Sequence, residues 1–193
     1  PAANWIKNVA YIISMTELLI LGSIILNWRK SLNTAKKNLY KVPYKFIVAA
    51  DIWIFLNLTL AILISIPAIN TYTHGTHVTV AHAMGATIGI NTMILFASLY
   101  YILEKHIGKI ENKKTRFGFI LVNIALIIFW MTLIISGITK AILNEKGVAF
   151  QSMMLQLQQL FKLFNIAGLA VLIGIILISI PLLVKFYKII LST

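Results

Sequence analysis

Five runs of mostly apolar residues, at about 9–27, 46–69, 76–103, 117–139 and 164–184, take up more than half of the 193-residue chain. Each supplies the ~20 residues that an α-helix needs to cross the ~30 Å hydrocarbon core of a bilayer. The runs are continuously apolar, whereas a transmembrane β-barrel reads as ~10-residue segments of alternating polarity. The connections are too short to hold a soluble domain. Composition excludes a soluble fold independently: 60% of the residues are hydrophobic and 11% charged, against ~25% charged in an ordinary globular domain. The expected fold is all-α and integral to a membrane. Residues 1–193 form one domain of five transmembrane helices.

The net charge of +12 points towards nucleic acid only until the basic residues are located. Arg29, Lys30, Lys36, Lys37, Lys41 and Lys45 follow the first run, and Lys105, Lys109, Lys113, Lys114 and Arg116 follow the third. Lys185 and Lys188 close the chain, so 13 of the 17 basic residues fall on one membrane face. The other face has Lys7, Lys140, Lys146 and Lys162, and the turn at 70–75 has none. Positive loops stay cytoplasmic, which predicts an outer N-terminus and a cytoplasmic C-terminus in a multi-pass membrane protein. The lipid bilayer is the expected partner and nucleic acid is not, because no base-reading or stacking domain accompanies the charge. With no cysteine, thiolate metal sites, disulfides and cysteine catalysis are excluded.

The stretch 141–163 differs from the runs. Val148, Phe150, Met153, Met154, Leu157, Leu160 and Phe161 alternate at helical spacing with Gln151, Gln156, Gln158 and Gln159. It is expected to lie along the outer interface or over the bundle, or to be a plain helical connection.

Ionisable residues inside spans are costly and mark function by default. Asp51 lies six residues from the cytoplasmic Lys45, near enough to be solvated or paired there. Glu17 and His82 lie eight and six residues into their runs from the outer side, both ~9–12 Å deep. Their matching depth points to one shared site. His82 and Met84 are two residues apart, hence ~200° apart around a helix, and imidazole and thioether are both haem axial ligands. A helix carrying such a pair can stand between two haems. Ala81, Gly85 and Gly89 recur every four residues, the spacing that admits a neighbouring helix or a flat macrocycle.

Here the sequence resembles a known family. Tyr72-Thr73-His74-Gly75-Thr76, followed by Ala81-His82-Ala83-Met84, is similar to the tenth-helix signature of the catalytic subunit of bacterial nitric oxide reductases, in the haem–copper oxidase superfamily. That signature runs Tyr-Thr-His-Gly-Thr, then Ala-His-x-His. Pro67 and Asn70 match the preceding Pro-x-x-Asn, Ser14-Met15-Thr16-Glu17-Leu18 resembles the eighth helix, and Pro1 and Trp5 resemble the segment after the seventh. The five spans would then be the C-terminal part, helices eight to twelve, of the twelve-helix subunit I fold.

The resemblance implies that His82 is the axial ligand of a high-spin haem b and that Glu17 serves catalysis beside it, moving protons or supplying negative charge. His74 and Thr76 would hydrogen-bond the haem propionates, or simply cap the turn that starts the third span. Met84 replaces the histidine that ligates the low-spin haem. It is either that haem's ligand or an apolar filler where the haem has been lost. The family's non-haem iron takes three histidines and a glutamate from earlier helices, so its ligands would lie outside this chain. The implied partners are those N-terminal helices, on the same or a separate chain, and a cytochrome or quinol electron donor. The expected activity is reduction of NO to nitrous oxide. The alternatives are an oxygen-reducing terminal oxidase of the same superfamily and a non-catalytic haem-binding or structural subunit.

Overall fold

The computed structural model describes residues 4–31, 40–108, 110 and 112–192. Pro1, Lys36, Lys37 and Lys109 lie outside that set, as do the side chains of Lys7, Ser14, Glu17, Leu18, Arg29 and Lys188. Every described element is a helix: α1 (Asn4–Ser31), α2 (Lys41–Ser65), α3 (Pro67–Thr73), α4 (His77–Met84), a π-helical segment (Gly85–Asn91), α5 (Thr92–Ile107), α6 (Lys113–Glu145) and α7 (Phe150–Ser192). Four helices among the described residues are long and apolar enough to cross a membrane, over Lys41–Ser65, His77–His106, Lys113–Glu145 and Phe150–Tyr187. They carry the second to fifth expected spans. The run at 9–27 falls within α1, whose 28 residues rise about 42 Å.

Helix ends follow local chemistry. The second run was expected to continue to residue 69, but α2 stops at Ser65 because Ile66 precedes Pro67. Proline bars the residue before it from helical geometry, and Ile66 is extended at φ −63°, ψ 121°. Pro67 then opens α3, where its missing N–H costs nothing. The Asn70 amide donates to the Ile64 carbonyl at 2.9 Å, which occupies an acceptor that the end of α2 leaves open.

The stretch 141–163 is not a separate interfacial element. It comprises the last turn of α6, a tight connection and the first turns of α7. Gly147, at φ +69°, takes the left-handed position that ends helices, and Val148 N–H returns to the Leu143 carbonyl at 3.1 Å. No proline or glycine interrupts residues 150–167, so α7 runs on through the fifth span. Met153 and Leu157 are buried there, while the four glutamines are exposed.

Without a hydrophobic force between helices in lipid, close packing must hold them together. The α6–α7 pair is one example: a β-carbon on Gly118 would lie 2.8 Å from the Gly174 carbonyl oxygen. The rod formed by α4, the π segment and α5 packs between α2 and α6, and α1 packs on α2. One apolar cluster joins Phe46, Met93, Phe96, Tyr100, Val122 and Ile178 near the end that holds Lys45 and Arg116. A second joins Trp53, Ala81, Leu126, Trp130 and Val171 at mid-depth.

Candidate functional site

The candidate residues sit on the rod. Its start is fixed by the turn at 74–76, where Gly75 adopts φ +70°. Thr76 caps α4: its hydroxyl accepts from Val78 N–H at 3.3 Å and donates to the Thr73 carbonyl at 2.7 Å. That donation uses the only hydroxyl proton, so Thr76 has none left for a propionate. The cap is the role the geometry supports. His74 is exposed beside it. His77, one residue on, is anchored instead, with Nδ1 3.3 Å from the Ser136 hydroxyl and its ring edge-on to Phe161 at 5.4 Å.

Beyond the cap, Val78, Ala81, Gly85 and Gly89 form a buried stripe, while Val80, Ala83, Thr87, Asn91, Ile94 and Ser98 form an exposed one. His82 and Met84 are both half-buried. With 100° of rotation per residue, they flank the buried stripe on opposite sides. Met84 packs against the mid-depth apolar cluster. His82 Nδ1 is buried and has no hydrogen-bond partner among the described residues. Buried polar atoms are nearly always paired, so Nδ1 is an unmet polar atom enclosed by the bundle, and Nε2 is the ring nitrogen that an external group would meet.

The small-residue stripe receives aromatic and amide side chains of the same chain rather than a macrocycle. A β-carbon on Gly89 would fall 2.5 Å from Trp53 Cδ2. One on Gly85 would overlap the Asn57 amide oxygen and lie 3.1 Å from Trp130 Nε1. Asn57 Oδ1 and Trp130 Nε1 are both buried and also lack a hydrogen-bond partner among the described residues. Trp53 by contrast donates from Nε1 to Asn123 Oδ1 at 3.2 Å.

Sequence reasoning missed this polar layer around the rod, and it missed the π segment. Within that segment's last turn the Thr92 hydroxyl donates to the carbonyl of Thr87, five residues back, at 3.0 Å. It also missed Glu104, which is buried and accepts from Ile110 N–H at 3.2 Å. Asp51 is 5% exposed and engaged with other groups. It is therefore a buried residue and not one solvated from the cytoplasmic end. The expected pairing of Glu17 with His82 rests on a side chain outside the described set; α1, which carries Glu17, packs on α2.

The donor set fits a haem at one point and a non-haem metal at none. His82 offers a half-buried imidazole at the border of the rod's open face, its Nδ1 enclosed and its Nε2 the nitrogen an iron would take. Among the described residues, no group of three or more His, Asp or Glu side chains is placed to hold a metal ion. Residues 1–173 match the family model described as Cytochrome C and Quinol oxidase polypeptide I. No curated protein matches the chain.

Proposed function

The chain belongs to the cytochrome c and quinol oxidase polypeptide I family, and from that premise we propose that it is the C-terminal part of a catalytic subunit that reduces nitric oxide. The family lies in the haem–copper oxidase superfamily, whose members are multi-pass membrane oxidoreductases. The proposed reaction joins two NO with two electrons and two protons to give nitrous oxide and water. The observation that carries the reading is His82: a half-buried imidazole with no hydrogen bond to hold its Nδ1, set within the Tyr72–Met84 signature.

His82 would hold the high-spin haem b by its iron, and that haem would supply the electron-transfer and NO-binding chemistry. Met84, on the opposite flank of the buried stripe, would reach towards a low-spin haem. Its thioether favours ferrous iron more than imidazole does. Glu17 would move protons; a carboxylate in low dielectric holds its proton more tightly than in water. His74, exposed at the outer turn, is the remaining propionate donor once Thr76 is committed to its cap. The non-haem iron would be held by the N-terminal helices, and a cytochrome or quinol would deliver electrons, in a bacterial cytoplasmic membrane.

The family's oxidase members favour a second reading, reduction of oxygen. The assembled complex, reduced and offered NO and O2 in turn, separates them. Nitrous oxide formation at turnover rates supports the proposal, whereas oxygen consumption without it supports the oxidase. An absorption spectrum with no haem bands would overturn both in favour of a structural subunit.

A further inference from the structure

A groove of about 560 Å³ opens where the start of α6 meets the last third of α7. Its lining mixes two chemistries: Lys113, Lys114 and Lys185 supply charge, and Ile180, Pro181 and Val184 supply apolar surface, with Ile110 and Asn112 beside them. All three lysines are exposed, and Arg116 stands exposed at the same end of α6; the adjoining Glu111 lies outside the described residues. The backbone adds to the charge. Asn112 takes the N–H of Thr115 with its side chain at 2.8 Å, leaving the amides of Lys113 and Lys114 among the first-turn donors that a helix cannot satisfy itself.

We propose that this groove binds an anionic phospholipid, its phosphate on Lys113, Lys114 and Lys185 and one acyl chain along Ile180, Pro181 and Val184. A soluble anion would use the cations and waste the apolar surface, and a neutral lipid would use that surface and leave three cations unmatched. Only an anionic lipid uses both. The groove also lies at the end of the bundle that carries most of the basic residues, where a headgroup would sit. Basic pockets between spanning helices on that side are the form that phospholipid recognition takes. The site is independent of the haem reading and survives its failure.

The test uses the full assembled protein, delipidated in detergent and titrated with phosphatidylglycerol or phosphatidylcholine, with bound lipid counted by native mass spectrometry. Wild type should prefer phosphatidylglycerol. The triple variant K113Q/K114Q/K185Q should lose about a hundredfold of that affinity, at about fivefold for each lysine near a membrane surface. K140Q/K146Q/K162Q removes as many charges from the other end and should change nothing. V184W leaves the lysines intact and fills the space over the apolar surface, so it should also weaken binding; it decides the matter if the triple variant does not assemble. Preference retained in K113Q/K114Q/K185Q, equal loss in the control, indifference to V184W, or displacement of the lipid by millimolar inorganic phosphate would each overturn the proposal.

Discussion

The amide oxygen of Asn57 presses against the bare Cα of Gly85, where a β-carbon would also lie 3.0 Å from Asn57 Cγ. Gly85→Ala must therefore displace a side chain that is itself buried. Overpacking of this kind costs ~1–3 kcal/mol. Asn57 Oδ1 has no hydrogen-bond partner among the described residues, so Asn57→Ala should cost little and should make room for the added methyl. Thermal unfolding of the assembled protein in detergent should show Gly85→Ala destabilised and the double variant restored. Additive losses would mean that the two residues do not compete for that space.

At the opposite end of the rod, Tyr100 donates its phenol proton to the Ile178 carbonyl at 2.9 Å, with the Thr115 hydroxyl 3.0 Å away. This contact ties α5 to both α6 and α7. Tyr100→Phe keeps the ring stacked on Phe46 and removes only the hydroxyl. A loss of ~1 kcal/mol is expected, read as a lower unfolding temperature with an unchanged haem spectrum. A large spectral change would show that the two ends of the rod are coupled.

If His82 holds the proposed high-spin haem, His82→Ala should remove the CO-binding signal from the assembled complex and abolish the proposed NO reduction, because the iron would lose its protein ligand. A complex that keeps that haem with an unaltered spectrum would show His82 to be a packing residue.

Met84→His, if Met84 faces a low-spin haem, should keep that iron six-coordinate and lower its potential, since imidazole favours ferric iron more than a thioether does. Met84→Leu is close in volume and should cost less than ~1.5 kcal/mol in packing while leaving the haem five-coordinate. Redox titration and low-temperature spectra read both effects. Indifference to both substitutions would assign Met84 to the apolar cluster that it touches.

Tags at the C-terminus and in the 28–45 loop should be inaccessible from outside intact cells, and tags at 70–75 and near Gly147 accessible. The motive is the concentration of basic residues at one end. The packing of His77 against Ser136 and Phe161 sets the 74–76 turn level with the outer parts of α6 and α7. Cleavage of the 28–45 loop by external protease would reverse the orientation.

The helices were legible because lipid imposes length and apolarity on each crossing: the fourth and fifth expected spans fall within observed candidates, the third starts one residue early, and the second overran at Pro67. What escaped the sequence was phase and company. Apolar runs reveal length and leave open which face meets which neighbour, so Trp53, Asn57 and Trp130 gave no hint that they would close on Gly85 and Gly89. Ala81, Gly85 and Gly89 were legible as a close-approach surface, but not as one occupied by indoles and an amide. Thr76 was readable as either a cap or a ligand donor. Only the direction of its hydroxyl hydrogen bond separates the two.

The π segment at Gly85–Asn91 has a consequence for evolution and engineering alike. One surplus residue in a helix turns everything beyond it by about 100°, so the segment acts as a phase shifter between two halves with different obligations. The half bearing His82 and Met84 answers to the open face, while the half bearing Tyr100 is locked to α6 and α7. Removing one residue within 85–91 would leave a more regular α-helix, yet it would rotate His82 against that fixed anchor. Local regularity would then be gained at the expense of aim, and a helix that looks mended would point His82 the wrong way.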